Sequence, residues 1–273
     1  MINRFNATRA ELYAAALFIA ALNALALRMQ TALDDRGWGN ALADLFGVSA
    51  IVWFALYALI SLGLKAEAIQ VPARKDWFIC GTLIASCLLP SSAPALAGFL
   101  IVATWLLITS RMGEERSLAI VALALTGPLL WGPLILRLMG TELLIFDANI
   151  AALLSGNTAL GNLVVVPGDK PDLLIMPGCS AFKNLAPVFV LAATLSQLLG
   201  TALDRKLAVA CVLGVVAVVL INSVRLAMIA WYPAHYEYLH VGGGATLFSY
   251  ATMLVVVAII GSALLLQKQR REV

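Results

Sequence analysis

The sequence predicts an all-α polytopic membrane protein of about eight transmembrane helices, with one larger extracytoplasmic connection. Three observations lead there. The 273 residues are 62% hydrophobic and only 12% charged, where soluble domains average about 25% charged. Mean hydropathy is +0.95, which implies more apolar surface than one globular core can cover, so the bilayer has to act as solvent. The Lys and Arg residues favour alternate links between the apolar runs, as the positive-inside rule describes.

A spanning helix takes about 20 mostly apolar residues. By that measure the spans fall at 12–30, 43–64, 76–90, 93–110, 117–138, 182–200, 206–229 and 244–266. Small residues in "ALNALA" of the first span resemble a signal-peptide cleavage site. Its polar leader is long and contains Glu11, so it is expected to remain as an uncleaved anchor. The third and fourth spans meet at "PSSAP" (90–94), an uncharged turn that should close a helical hairpin. The connection 139–181 follows the fifth span. In it "ELLIFDANIAALL" reads as a short amphipathic interfacial helix, and "NLVVVPGDKPDLLIM" as two extended runs around a Pro-Gly-Asp turn, a β-hairpin. The expected organisation is one integral membrane domain. It comprises a five-helix region (1–138), the connection (139–181) and a three-helix region (182–273).

With the N-terminus inside, the outer segments hold Arg28, Arg36, Arg137, Lys170, Lys183 and Arg225. The other twelve Lys and Arg, among them Arg4, Arg9, Arg111, Arg270 and Arg271, fall inside. Both termini are therefore expected in the cytoplasm of a cell inner-membrane protein. The connection, the end of the seventh span and the link "YEYLHVGGG" then share the opposite face. The partners expected are lipid and other membrane proteins, with no nucleic acid. Glu142, Asp147 and Asp169 are outward carboxylates, read as solvated loop charges.

Ionisable groups within spans usually mark function. Arg225 lies about two turns from the outer end of the seventh span, with Asn222 at i−3 on the same face to hold its guanidinium. A snorkelling arginine is the competing account. The only histidines, His235 and His240, fall in the outer link among the aromatics Trp231, Tyr232, Tyr236 and Tyr238, where a merely interfacial role is the alternative. Cys80, Cys87 and Cys211 lie in apolar runs, where a thiol acts as a small hydrophobe. Cys179 alone has a polar, non-helical setting. No CxxC or HxxxH pattern is present, and a Cys/His/His site lacks a fourth ligand, so no metal or cofactor is expected. Cys179 should open the sixth helix, where the positive end of the macrodipole favours a thiolate. Three consecutive helices thus bring Cys179, Arg225 and His240 to one membrane face. A thiol, a base and a cation for a carbonyl oxygen make a set suited to acyl transfer.

At these residues the chain resembles the exosortase/archaeosortase family of membrane cysteine transpeptidases. The elements are "GCSAF" (178–182), "NSVR" (222–225) and "HVGGGATLF" (240–248), in the family's order, over roughly the C-terminal 100 residues. Gly244 and Phe248 stand at the family's offsets from the histidine. Ala181 replaces a frequent glycine, and Val241 a frequent polar or acidic residue. The resemblance implies a thiol protease that sorts proteins: Cys179 as nucleophile, His240 as acid/base and Arg225 stabilising the oxyanion, with Ser180, Asn222 and Gly244 in support. Clients would be membrane-anchored proteins with a C-terminal motif, one transmembrane helix and a basic cluster. An envelope nucleophile would resolve the thioester. His235 stays open as the working base. A transporter remains an alternative, although no internal repeat is visible. So do another membrane hydrolase, although HExxH is absent, and a non-catalytic assembly subunit.

Overall fold

The computed structural model describes residues 7–65, 71–110, 113–168 and 171–272. Arg4, Arg111, Asp169 and Lys170 lie outside the described residues, as does the tip of the expected Pro-Gly-Asp turn. Among the described residues, six helical stretches are long and apolar enough to cross a membrane: Arg9–Ala43, Ser92–Thr109, Glu114–Ser155, Ala181–Leu198, Arg205–Trp231 and Gly243–Gln269. The protein is thus an all-α, multi-pass membrane chain. The expected second and third spans form helices of 16 and 13 residues, about 24 and 20 Å at 1.5 Å per residue. By length alone the count therefore stops short of eight. Contacts divide the chain into two compact units, Met1–Leu130 with Ala193–Ala202, and Trp131–Ala192 with Leu203–Val273.

The first unit contains α1 (Arg9–Ala43), α2 (Ala50–Lys65), α3 (Arg74–Ser86), α4 (Ser92–Thr109) and α5 (Glu114–Thr126). Thr8 and Glu11 form a reciprocal capping box that starts α1 three residues before the expected span. The helix runs on through a break at Gly37, whose φ of 70° is open to glycine. A Cβ at Gly63 of α2 would stand 2.4 Å from that of Ala14, so α1 and α2 cross at small residues. The expected hairpin of α3 and α4 is present, and the Ser91 side chain caps α4. Arg9, counted from the sequence as a loop charge, is 6% exposed. Its guanidinium donates to Asp76 at 3.1 Å, Glu115 at 2.6 Å and Thr109 at 2.6 Å. Tyr13 donates its hydroxyl to Asp76 at 2.8 Å. One cluster thereby ties α1, α3, α4 and α5 together.

The second unit begins where a π-helical turn, Gly127–Trp131, passes into α6 (Gly132–Ser155). Pro128 and Pro133 bring no N–H to the regular ladder there, which accounts for the widened turn. "ELLIFDANIAALL" is no separate interfacial helix; it continues α6, interrupted only by non-helical angles at Met139. Gly156, at φ 70°, ends the helix. Three short antiparallel strands follow, β1 (Thr158–Leu160), β2 (Leu163–Val165) and β3 (Leu173–Leu174). The expected hairpin is β2–β3, with Val164 opposite Leu173. β1 was not foreseen, although its two-residue Gly161-Asn162 link is a hairpin signal. The remaining helices are α7 (Ala186–Leu198), α8 (Arg205–Trp231), the short α9 (Tyr236–His240) and α10 (Gly243–Glu272). Val164 and Ile175 of the strand region, Ala148 and Ala151 of α6, and Leu226 and Ile229 of α8 form one buried cluster, and Cys179 belongs to it.

Candidate active site

Cys179 is 4% exposed and closes a three-residue 3-10 turn, Pro177–Cys179. Pro177 fixes the turn's entry, and the Cys179 N–H donates to the Met176 carbonyl at 2.8 Å. A second 3-10 turn, Ala181–Asn184, capped by the Ser180 hydroxyl, separates it from α7. The sulfur therefore does not sit at the N-terminus of an α-helix, as the sequence suggested, since α7 starts only at Ala186. The polar run Ser-Ala-Phe-Lys-Asn is taken up in short turns instead. The polar side chains that meet Cys179 come from α8 and α9.

His240 ends α9, and its ring lies beside the thiol: Sγ is 3.6 Å from Nδ1 and 3.9 Å from Nε2. Either distance allows an S–H···N hydrogen bond, with the tautomer choosing the nitrogen. Tyr236, one helical turn earlier, stacks on the imidazole with ring centroids 4.8 Å apart and a 30° tilt. His235 is exposed and packs edge-on against Tyr232. Of the two histidines, His240 is the one placed at the sulfur.

Asn222 and Arg225 sit three residues apart on α8 and converge on Cys179 from the side of its backbone. The Asn222 amide donates to the Cys179 carbonyl at 2.9 Å, and Arg225 Nη2 reaches the same oxygen at 3.4 Å. The amide thus holds the cysteine, not the guanidinium as expected. Arg225 Nε is buried and, among the described residues, has no hydrogen-bond partner. A cationic donor beside the thiol is thereby left with an unused hydrogen.

The electrostatics follow from this packing. Burial, with the Arg225 cation adding to it, holds His240 below its usual pKa, while the Glu237 carboxylate works the other way. The imidazole is therefore neutral and able to accept a proton at neutral pH. Burial pushes the Tyr236 hydroxyl up, and the Glu237 carboxylate adds to it.

The triple glycine after His240 has a steric origin. A Cβ on Gly244 would lie 2.9 Å from the Tyr238 ring and 2.9 Å from its carbonyl oxygen. Only glycine lets α10 start that close to α9. Phe248, one turn further along α10, packs on the cluster that contains Cys179.

Two residues escaped the sequence reading. Tyr236 reads in the sequence as one of the interfacial aromatics; its i−4 spacing from His240 is the signal that places both on one face. Asp147, expected to be a solvated loop charge, is 2% exposed. Its i−3 and i+4 neighbours Leu144 and Ala151 are also buried, so helical periodicity placed it on the inner face. Glu142 is exposed. Among the described residues, no group of three His, Cys, Asp or Glu side chains gathers to hold a metal ion. No family model matches the chain, and neither does any curated protein or solved structure.

Proposed function

We propose that this chain is an exosortase-like cysteine peptidase or transpeptidase that cleaves a C-terminal sorting signal from membrane-anchored clients. The observation that carries the proposal is the Cys179–His240 pair at 3.6 Å, with the Nε of Arg225, which has no hydrogen-bond partner among the described residues, beside it. These are the three residues that the resemblance marks, gathered from three separate stretches of chain.

In the proposed cycle the Sγ–H proton passes to His240, and the thiolate attacks the carbonyl carbon of the scissile peptide bond. Negative charge moves to the carbonyl oxygen, where Arg225 Nε is the available donor. Collapse breaks the C–N bond, and His240 returns its proton to the leaving amine, which departs with the client's anchor. The thioester left on Cys179 is then resolved by water or by an envelope nucleophile, whose proton His240 takes and passes back to the thiol. Client helices would approach laterally through the bilayer, bringing the bond to the membrane face.

The finer topology belongs to this proposal. It has eight crossings, with α2 and α3 as short spans accommodated by local thinning, both termini cytoplasmic, and the thiol facing outward from a cell inner membrane. The decisive variant is C179A, scored on membrane proteins bearing a C-terminal motif, transmembrane helix and basic cluster. Uncleaved precursor should accumulate. Unchanged processing would overturn the proposal and favour a transporter or an assembly subunit. A membrane-impermeant thiol reagent should label Cys179 in intact cells; labelling only after the membrane is opened would reverse the orientation.

A further inference from the structure

Asp147 is a buried carboxylate in an apolar cluster, a costly placement unless something nearby uses it. α6 packs against the turn Ala181–Asn184, and the Asp147 carboxylate lies close enough to interact with the Ser180 hydroxyl and the Ala181 N–H, the two residues that follow Cys179. Both are almost fully buried, at 1% and 2% exposure. Ser180 Oγ accepts from the Phe182 N–H at 3.2 Å, which leaves its own hydrogen for Asp147. The other carboxylate oxygen, Oδ2, is buried with no hydrogen-bond partner among the described residues. The segment 179–182 is therefore gripped from two sides. α6 brings the Asp147 carboxylate beside Ser180 and Ala181, and α8 supplies the Asn222 and Arg225 donors for the Cys179 carbonyl.

We infer that Asp147 is a positioning residue for Cys179: by accepting from Ser180 and Ala181 it fixes the turn and aims the sulfur at His240. The inference rests on the proposed role of Cys179, and Asp147 itself touches no reacting atom. A 3-10 turn this short carries few hydrogen bonds of its own; here they are Cys179 to Met176 and Ser180 to Pro177. Its conformation is therefore set by what it binds outside. Removing the acceptor leaves two buried donors without partners, and the turn moves to satisfy them. Asparagine keeps one carbonyl oxygen able to accept from both donors; alanine keeps none.

The test uses the full chain in membranes with Cys80, Cys87 and Cys211 replaced by alanine. Two quantities are followed for D147A and D147N, namely client processing and the pH dependence of Cys179 alkylation by iodoacetamide, with H240A as reference. D147A should lose processing by about tenfold or more, the effect of stranding buried donors, and its alkylation profile should fall onto that of H240A. D147N should stay within about threefold of the parent and keep its profile. D147A behaving as the parent in both measurements, or D147N falling as far as D147A, overturns the inference. Should D147A fail to accumulate, S180A removes one donor alone: a displaced profile supports the inference, and an unchanged one overturns it. If C179A leaves processing intact the peptidase proposal falls, while the alkylation arm still decides whether Asp147 sets the thiol–imidazole pair.

Discussion

Replacing Gly244 with alanine should damage the site without touching it. The added Cβ would meet Tyr238 Cδ1, Cε1 and the backbone oxygen, each at 2.9 Å, where ordinary contact begins near 3.4 Å. α9 and α10 must then part by about half an ångström. The ring can swing aside, but the carbonyl cannot move without carrying α9, whose last residue is His240. Overpacking of this kind costs about 1–3 kcal/mol. Exchange of glycine for alanine in a helix returns at most about 1 kcal/mol. With three atoms at 2.9 Å, one of them backbone, the cost lies in the upper part of that range, about 2–3 kcal/mol. The net loss of about 1–2 kcal/mol, expressed as displacement of His240 from the sulfur, corresponds to a fall of roughly 5- to 30-fold. The assay is client processing at matched protein levels, with Cys179 alkylation followed in parallel. G243A is the control, since its Cβ would meet Tyr238 only at the ring, Cε2 at 3.2 Å and Cζ at 4.0 Å; it should stay within about twofold. G244A processing at the parental rate would refute the steric account of why glycine follows the histidine by four residues.

Two further predictions use other parts of the molecule. The acid limb of Cys179 alkylation should lie below pH 6.5, because burial and Arg225 lower the His240 pKa. E237Q should move that limb to still lower pH and R225Q to higher pH, and equal shifts of one sign in both variants would contradict the assigned charges. The same depressed pKa makes a stabilising contribution that is complete above His240's unfolded pKa and lost as pH falls below it. In the first unit, G63A drives its Cβ to 2.4 Å from that of Ala14. It should lower the thermal midpoint in detergent by about 2–6 °C, given about 1–2 kcal/mol of overpacking. G81A, with nothing within 4 Å of its Cβ, should leave the midpoint unchanged or raise it slightly. A lower midpoint for G81A than for G63A would undo the packing argument.

Much of the architecture was legible because hydropathy alone marks long apolar runs, and α4, α8 and α10 lie close to the spans expected. The boundary of α6 was not, because an amphipathic helix lying on a membrane and the emergent end of a spanning helix have the same sequence pattern. The β1 strand was missed because three residues carry too little alternation to stand out. At the site, Cys179, Asn222, Arg225 and His240 stood out as polar groups in apolar surroundings, and the structure brings all four together. Asp147 did not stand out, since a carboxylate in a presumed loop looks solvated until the fold buries it. Nor could the sequence reveal that Cys179 lies in a 3-10 turn, because that depends on acceptors and donors from α6 and α8, distant in the chain.

The cluster around Arg9 also constrains how the protein is made. Its three partners enter the chain in sequence, Asp76 first, then Thr109 and last Glu115, the closest carboxylate. A nascent chain that has produced α3 can neutralise the arginine once, but the second carboxylate arrives 39 residues later. At synthesis rates of 5–20 residues per second that is an interval of about 2–8 s. During it, the guanidinium at the first residue of α1 lacks its second carboxylate. The start of the first helix is thus completed only when the fifth is delivered. Chains truncated between α4 and α5 should be recognised as unfinished by the cell's membrane quality control.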